Sequence, residues 1–192
     1  MATANDVAAY ILRQRKIVES VRLQKLLYYS QAWHLVAMDA PLFEDQIAAY
    51  ELGPVVHSVW KKYEGQVTIS HRNAVGDPDA LTDSEREVVD AVIEAYRRIL
   101  PFELSALTHI EAPWVDAWAR RFDRGISHEA MRSYYASEVV KPKSLRTTPQ
   151  VPHVPRARVT YIDANEFDEI EDALERPDEP SGLLAAVTRR RK

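Results

Sequence analysis

Apolar residues recur every three to four positions along most of residues 1–140, the spacing that places them on one face of an α-helix. Local signals mark where these helices begin and end. Thr82 and Glu85 are spaced as a capping box, Ser127 is a suitable N-cap, and Pro41 ends a helical stretch. The pattern predicts helices over about 5–15, 21–38, 54–64, 83–100, 102–109 and 127–140, with a further one opened by Pro113.

Two short segments break the helical pattern. Residues 46–52 form a brief apolar run that ends at Gly53-Pro54, and residues 66–72 alternate and contain β-branched side chains. We expect these two segments to pair as a small hairpin-like element. Pro54 suits the first position of a helix, so we expect the chain to turn at Gly53 and re-enter a helix there. The predicted fold is mostly α, a compact multi-helix domain with a minor short β element and an extended C-terminal tail.

The segment RLQKLLYYSQAWHL, residues 22–35, is apolar almost all round. A helix of this kind normally lies at the centre of a domain. Its polar residues then need partners, since each unsatisfied buried group costs about 1–3 kcal/mol. These residues, Gln24, Lys25, Gln31 and His34, either form a network that fixes the helix or reach an exposed edge. We favour the network, with Lys25 reaching an edge where it contacts a partner; a catalytic role has little support.

The composition changes after residue 140. Residues 141–158 contain four prolines and five basic residues without an acid, which indicates an extended linker. Residues 159–192 form an acidic tail with a basic terminus, and nine acids lie between Asp163 and Glu179. We hypothesise that residues 159–175 fold into an amphipathic helix on contact with a partner. The residues expected to bind are Tyr161, Ile162, Phe167, Ile170 and Leu174. A solvated, disordered tail is the alternative.

Composition narrows the class of protein. The chain has no cysteine, which excludes disulfides and thiolate metal sites and suits a reducing cytoplasm. No apolar run is long enough to span a membrane, and the N-terminus is not a signal peptide, so we expect a cytoplasmic protein. Residues 1–140 carry 15 Lys and Arg against 20 Asp and Glu. An acidic body argues against a broad nucleic-acid surface, although the terminal RRRK leaves a local contact open.

The sequence contains no recognisable catalytic pattern. Its five glycines are scattered and form no phosphate loop, and no histidine pair has zinc spacing. The two residues that come nearest to the spacing of a pair of metal ligands are His109 and Glu111. An isolated His–Glu pair of this kind more often forms local hydrogen bonds than a metal site. We therefore expect no enzyme activity, no bound cofactor and no metal site.

Four segments occur in an order that resembles the Panacea domain, also called the SocA-like or phage-associated antitoxin family. They are the Leu-Gln-Lys-Leu-Leu-Tyr-Tyr helix, PLF at 41–43, the Tyr-x-x-Gly-Pro-Val turn and the Thr-His-x-x-x-Pro-Trp turn. The resemblance covers about residues 1–140 and implies that the matched positions define the fold. These positions are Leu23, Gln24, Leu26, Tyr28, Gly53, Pro54, Thr108, His109, Pro113 and Trp114.

The resemblance implies an antitoxin that neutralises a cognate protein toxin by direct protein–protein binding. Toxins paired with this family include alarmone-synthetase-like and membrane-acting proteins, so an alarmone-synthetase-like toxin is one candidate partner. The alternative implied by the family is an adaptor that delivers a toxin to a cytoplasmic protease. The resemblance carries over no catalytic residue. Residues 141–192 lie beyond the family's domain, and they are candidates for determining which toxin is bound.

Overall fold

The computed structural model describes residues 1–140 and, for residues 138–140, the backbone alone. Within this part of the chain lie seven α-helices, five short strands and one 3₁₀ turn, which confirms the predicted mostly α class with a minor β element. The predicted linker 141–158 and tail 159–192 lie outside the described residues. The elements are α1 (Ala4–Arg15), β1 (Ile17–Glu19), α2 (Ser20–Met38), β2 (Ile47–Tyr50), β3 (Gly53–Val56), α3 (His57–Lys62), β4 (Thr68–Ser70), the 3₁₀ turn (His71–Asn73), α4 (Asp83–Tyr96), α5 (Pro101–Thr108), α6 (Ala112–Ala119), β5 (Gly125–Ile126) and α7 (His128–Val140).

Helix α2 is the centre of the domain, as its apolar circumference predicts. It packs against α1, α4, α5, α7 and strand β3, so almost every side of the helix meets another element. Fifteen of its nineteen residues are buried. A helix surrounded in this way has no solvent face, which explains why its sequence lacks a polar stripe. Asp39 ends the helix in the left-handed conformation, which Asp tolerates better than most residues.

The strands form two small antiparallel sheets, and their pairing differs from the prediction. Strand β2 pairs with β3 on one side and with β5 on the other. Strand β4, from the segment 66–72, pairs instead with β1, with Val18 opposite Ile69. The expected pairing of 46–52 with 66–72 is therefore wrong. It failed because β1 is a three-residue strand directly after α1, too short to show a periodicity of its own.

The predicted helix start at Pro54 is also wrong. Pro54 lies in strand β3 opposite Ala49, and helix α3 begins three residues later, at His57. Because β3 is the edge strand of its sheet, the missing N–H of a proline removes no bond to a further strand. The Gly-Pro pair therefore begins strand β3, directly after the two-residue turn of Glu51 and Leu52, and does not open a helix.

The predicted helix caps are confirmed. Thr82 accepts a hydrogen bond from the Glu85 N–H at 3.3 Å, and the Glu85 carboxylate accepts from the Thr82 N–H at 2.7 Å. The Ser127 hydroxyl accepts from the Ala130 N–H at 3.2 Å. Both contacts satisfy helix-terminal N–H groups that lack partners within the helix. Across residues 1–140, every helix is too short or too polar to cross a membrane.

Candidate functional site

The polar residues in the second half of α2 bind the loop that follows the helix. Gln31 Oε1 accepts hydrogen bonds from the Leu42 and Phe43 N–H groups, and Gln31 Nε2 donates to the Phe43 carbonyl at 3.1 Å. His34 Nδ1 lies 2.7 Å from the Ala40 carbonyl. Burial lowers the pKa of His34, so the ring is neutral at physiological pH and its Nδ1–H donates to that carbonyl. These side chains hold residues 40–43 against the core, as a structural network should.

The polar residues in the first half of α2 bind the β2–β3 hairpin. Gln24 Oε1 accepts from the Val56 N–H at 2.8 Å, and Lys25 Nζ donates to the Pro54 carbonyl at 3.0 Å. Gly53 has a φ of +99°, and a Cβ there would lie 2.5 Å from Thr108 Oγ1 and 2.7 Å from Lys25 Cε. Only glycine combines this backbone conformation with so close an approach.

Helices α5 and α6 hold the same hairpin from its other side. Ser105 Oγ donates to the Leu52 carbonyl at 2.6 Å, and Trp114 Nε1 donates to the Tyr50 carbonyl at 3.1 Å. The His109 ring packs on Trp114 with a centroid distance of 4.1 Å. The hairpin is thus fixed by three helices through its backbone carbonyls, which makes it a rigid platform.

A buried carboxylate lies behind this platform. Glu111 accepts hydrogen bonds from the Tyr29 hydroxyl at 3.1 Å and from the Tyr135 hydroxyl at 2.7 Å. Burial, with the nearby Glu111 charge, raises the pKa of both tyrosines well above 10, so both remain protonated donors at neutral pH. Glu111 therefore joins α2 to α7.

The structure does not bring His109 and Glu111 together on a common ligand position. His109 packs on the Trp114 indole, whereas Glu111 bonds the hydroxyl groups of Tyr29 and Tyr135. Within residues 1–140 no group of three or more His, Asp or Glu side chains could hold a metal ion.

A groove of about 500 Å³ opens beside the hairpin, and most of its surface is apolar. We call it the hairpin groove. Large apolar side chains that are strongly exposed form its rim: Leu52 is 49% exposed, Val67 81% and Phe102 71%. An exposed cluster of large apolar residues marks a binding surface more often than an inert one.

Gln24 and Lys25 are the most buried polar residues of the groove and form its floor. Their exposed fractions are 4% and 1%. Burial lowers the pKa of Lys25 from 10.5 to about 7, because the surrounding apolar groups do not solvate the ammonium. No carboxylate among residues 1–140 forms an ion pair with it. Lys25 therefore lies inside the domain and does not reach the exposed edge that we expected.

A second cavity, of about 540 Å³, lies between the end of α2 and α7. Two of its polar residues pair with each other, since Arg132 Nη1 bonds Asp39 Oδ1 in an ion pair. It has no exposed apolar rim to compare with that of the hairpin groove. We therefore take the hairpin groove as the candidate functional site.

Residues 23–115 match the family model described as antitoxin SocA-like, Panacea domain, which covers just under half of the chain. The chain is therefore similar to the Panacea domain over these residues. No curated protein matches the chain, and no solved structure matches it.

Five of the residues in the Panacea-like motifs lie at the hairpin. Gln24, Gly53 and Pro54 form the contact between α2 and the hairpin, Thr108 of α5 packs against Gly53, and Trp114 of α6 bonds the Tyr50 carbonyl. Leu23, Leu26 and Tyr28 are buried in the core, and Pro113 opens the first turn of α6. Their assignment as fold-defining residues, and that of Lys25 as partner-binding, stay predictions. The tail candidates Tyr161, Ile162, Phe167, Ile170 and Leu174 lie outside the described residues.

Sequence reasoning missed the rim of the groove. Leu52, Val67 and Phe102 come from three distant segments, so no local pattern joins them. One signal was present: Phe102 follows Pro101 at the start of a helix, where a large apolar residue has no partner within its own turn.

Proposed function

We propose that this protein is an antitoxin of the Panacea type that neutralises a protein toxin by direct binding, and that it acts without catalysis. The observation that carries this proposal is the match of residues 23–115 to the SocA-like antitoxin family. The hairpin groove supports it, because a rigid platform with an exposed apolar rim is suited to a protein partner. On this proposal both proteins act in the cytoplasm, and an alarmone-synthetase-like enzyme is one candidate toxin.

The test is a growth assay with the product of the adjacent open reading frame. That product is induced alone, with this protein, and with a frameshifted copy of this gene as the control. The proposal expects growth arrest in the first and third cultures and recovery in the second. A product that is harmless when expressed alone, or an arrest that this protein does not relieve, would contradict it.

Toxin abundance in the same cultures separates direct neutralisation from the adaptor alternative. Direct neutralisation predicts an unchanged amount of toxin and a stable complex on co-purification. Delivery to a protease predicts that the toxin declines after translation is stopped and persists in a protease-deficient strain. The second result would mean that this protein still binds the toxin, but that the toxin is removed by proteolysis and is not neutralised by binding alone.

A further inference from the structure

The floor of the hairpin groove has more hydrogen-bond donors than acceptors. The Lys25 ammonium has three N–H donors, and one of them binds the Pro54 carbonyl. The Gln24 amide accepts from Val56 through Oε1, and within residues 1–140 its two N–H donors form no hydrogen bond. A buried cation with a single neutral acceptor is costly unless a further acceptor reaches it. An anionic oxygen is the group that would best complete this floor.

The wall of the groove is apolar and therefore favours apolar groups on a ligand. Tyr50, Leu52, Val55 and Phe102 present apolar surface around these donors. A ligand that fits must therefore bring one anionic acceptor and bulky apolar groups together. The carboxylates of Glu19 and Glu51 also line the groove, and they disfavour a ligand with several negative charges.

We infer that the hairpin groove binds the C-terminus of a partner polypeptide that ends in a bulky apolar residue, with its terminal carboxylate at Lys25 and Gln24. The inference deepens the proposed function and rests on it, since the partner would be the toxin. A C-terminal residue carries its carboxylate and its side chain on the same Cα, so it supplies the anionic acceptor and the apolar group within a small volume. About 500 Å³ accommodates only a few residues. Capture of a C-terminal carboxylate is a known mode of peptide recognition.

The same geometry predicts that binding takes up a proton above pH 7. With a pKa of about 7 the free Lys25 is partly neutral at physiological pH, and a bound carboxylate would favour its charged form. The ionisable groups on the elements packed around it are Glu19, Tyr50, Glu51, His109 and Glu111. His109 has a pKa below 6.5, so it is already neutral over this range. The affinity should fall by up to tenfold per pH unit above 7.

The experiment titrates the full-length ¹⁵N-labelled protein with acetylated tetrapeptides that end in Leu, Ile, Val or Phe. Each peptide is used with a free terminal carboxylate and as its C-terminal amide. We expect at least one free acid to bind at the groove, to perturb the Trp60 indole and to bind at least tenfold tighter than its amide. Lys25→Met should reduce the acid's affinity to that of the amide, whereas Lys61→Met, on exposed surface, should change nothing.

The alternatives are decided by the same titrations. Equal affinity of acid and amide, or full affinity in a folded Lys25→Met, would overturn the inference, as would the failure of every peptide to bind. If Lys25→Met does not fold, the pH profile of the wild type decides, since the affinity of the acid must fall between pH 7 and 9 while that of the amide does not. Growth rescue without peptide binding would remove this inference alone. Peptide binding without growth rescue would remove the antitoxin proposal alone.

Discussion

Gln24 and Gln31 lie seven residues apart on the same face of α2, and both are buried. Gln31 uses both ends of its amide, with three hydrogen bonds to backbone groups of Leu42 and Phe43. Gln24 uses its oxygen alone, for one bond to Val56 beside the groove. Gln31 thus holds the loop after α2 in place, whereas Gln24 keeps its N–H donors available beside the groove. A buried polar side chain is suited to binding a ligand when some of its hydrogen-bonding atoms have no partner within the protein.

The largest effect should come from replacing the fully bonded glutamine. Gln31→Leu leaves two N–H groups and one carbonyl without partners, and each costs about 1–3 kcal/mol, so we expect a loss of about 3–5 kcal/mol in unfolding free energy. Gln24→Leu leaves one such group and should cost about 1–2 kcal/mol. Urea unfolding of both variants measures the difference. Equal losses would show that the two regions do not differ as described.

The hairpin beside Lys25 offers the next contrast. Gly53 and Gly65 both have positive φ, +99° and +79°, but only at Gly53 would a Cβ meet neighbouring atoms. Gly65→Ala should cost about 1 kcal/mol from backbone strain alone. Gly53→Ala adds the collision with Thr108 and Lys25, and we expect about 3 kcal/mol in total. Thermal unfolding of the two variants tests this, and an equally mild Gly53→Ala would contradict the close packing of the hairpin.

The buried ammonium should make stability depend on pH. The pKa of Lys25 is about 7 in the folded protein and near 10.5 in the unfolded chain. Between these values the unfolded chain binds a proton that the folded protein releases, so the unfolding free energy rises with pH. From pH 7 to 9 the contribution is at most about 1.4 kcal/mol per pH unit.

Lys25→Met removes this contribution, and Lys61→Met retains it. The measurement is the unfolding free energy of the wild type and of both variants at pH 6, 7, 8 and 9. If the wild type and Lys25→Met keep a constant difference across this range, Lys25 is charged and solvated in the fold, and the described floor of the groove is wrong.

The sequence predicted the elements whose determinants are local. The apolar circumference of residues 22–35 predicted the central helix, and the spacing of Thr82 and Glu85 predicted a cap that the structure contains. The polar residues of the central helix were expected to form a network, and Gln31 and His34 do so. Lys25 was expected at an exposed edge, and it is buried, because its position depends on a hairpin thirty residues away.

The features that could not be predicted depend on distant segments meeting. Pro54 has the same local signal whether it opens a helix or lies in an edge strand, and only its pairing with β2 decides. Gln24 and Gln31 are equivalent in the sequence, since their partners come from different loops. The groove as a whole has no local signal, because its rim combines residues from the β2–β3 turn, α5 and the segment before β4.

We propose that the hairpin groove is the surface through which this protein neutralises a toxin. The most direct test is the growth assay with Phe102→Asp, which places a charge on the rim, beside Phe122→Asp. Phe122 is 94% exposed and lies outside the groove, so the two variants add the same charge, and each should change stability by only about 0.5 kcal/mol. We predict that Phe122→Asp restores growth as the wild type does and that Phe102→Asp fails while remaining folded. Full rescue by a folded Phe102→Asp would contradict the claim.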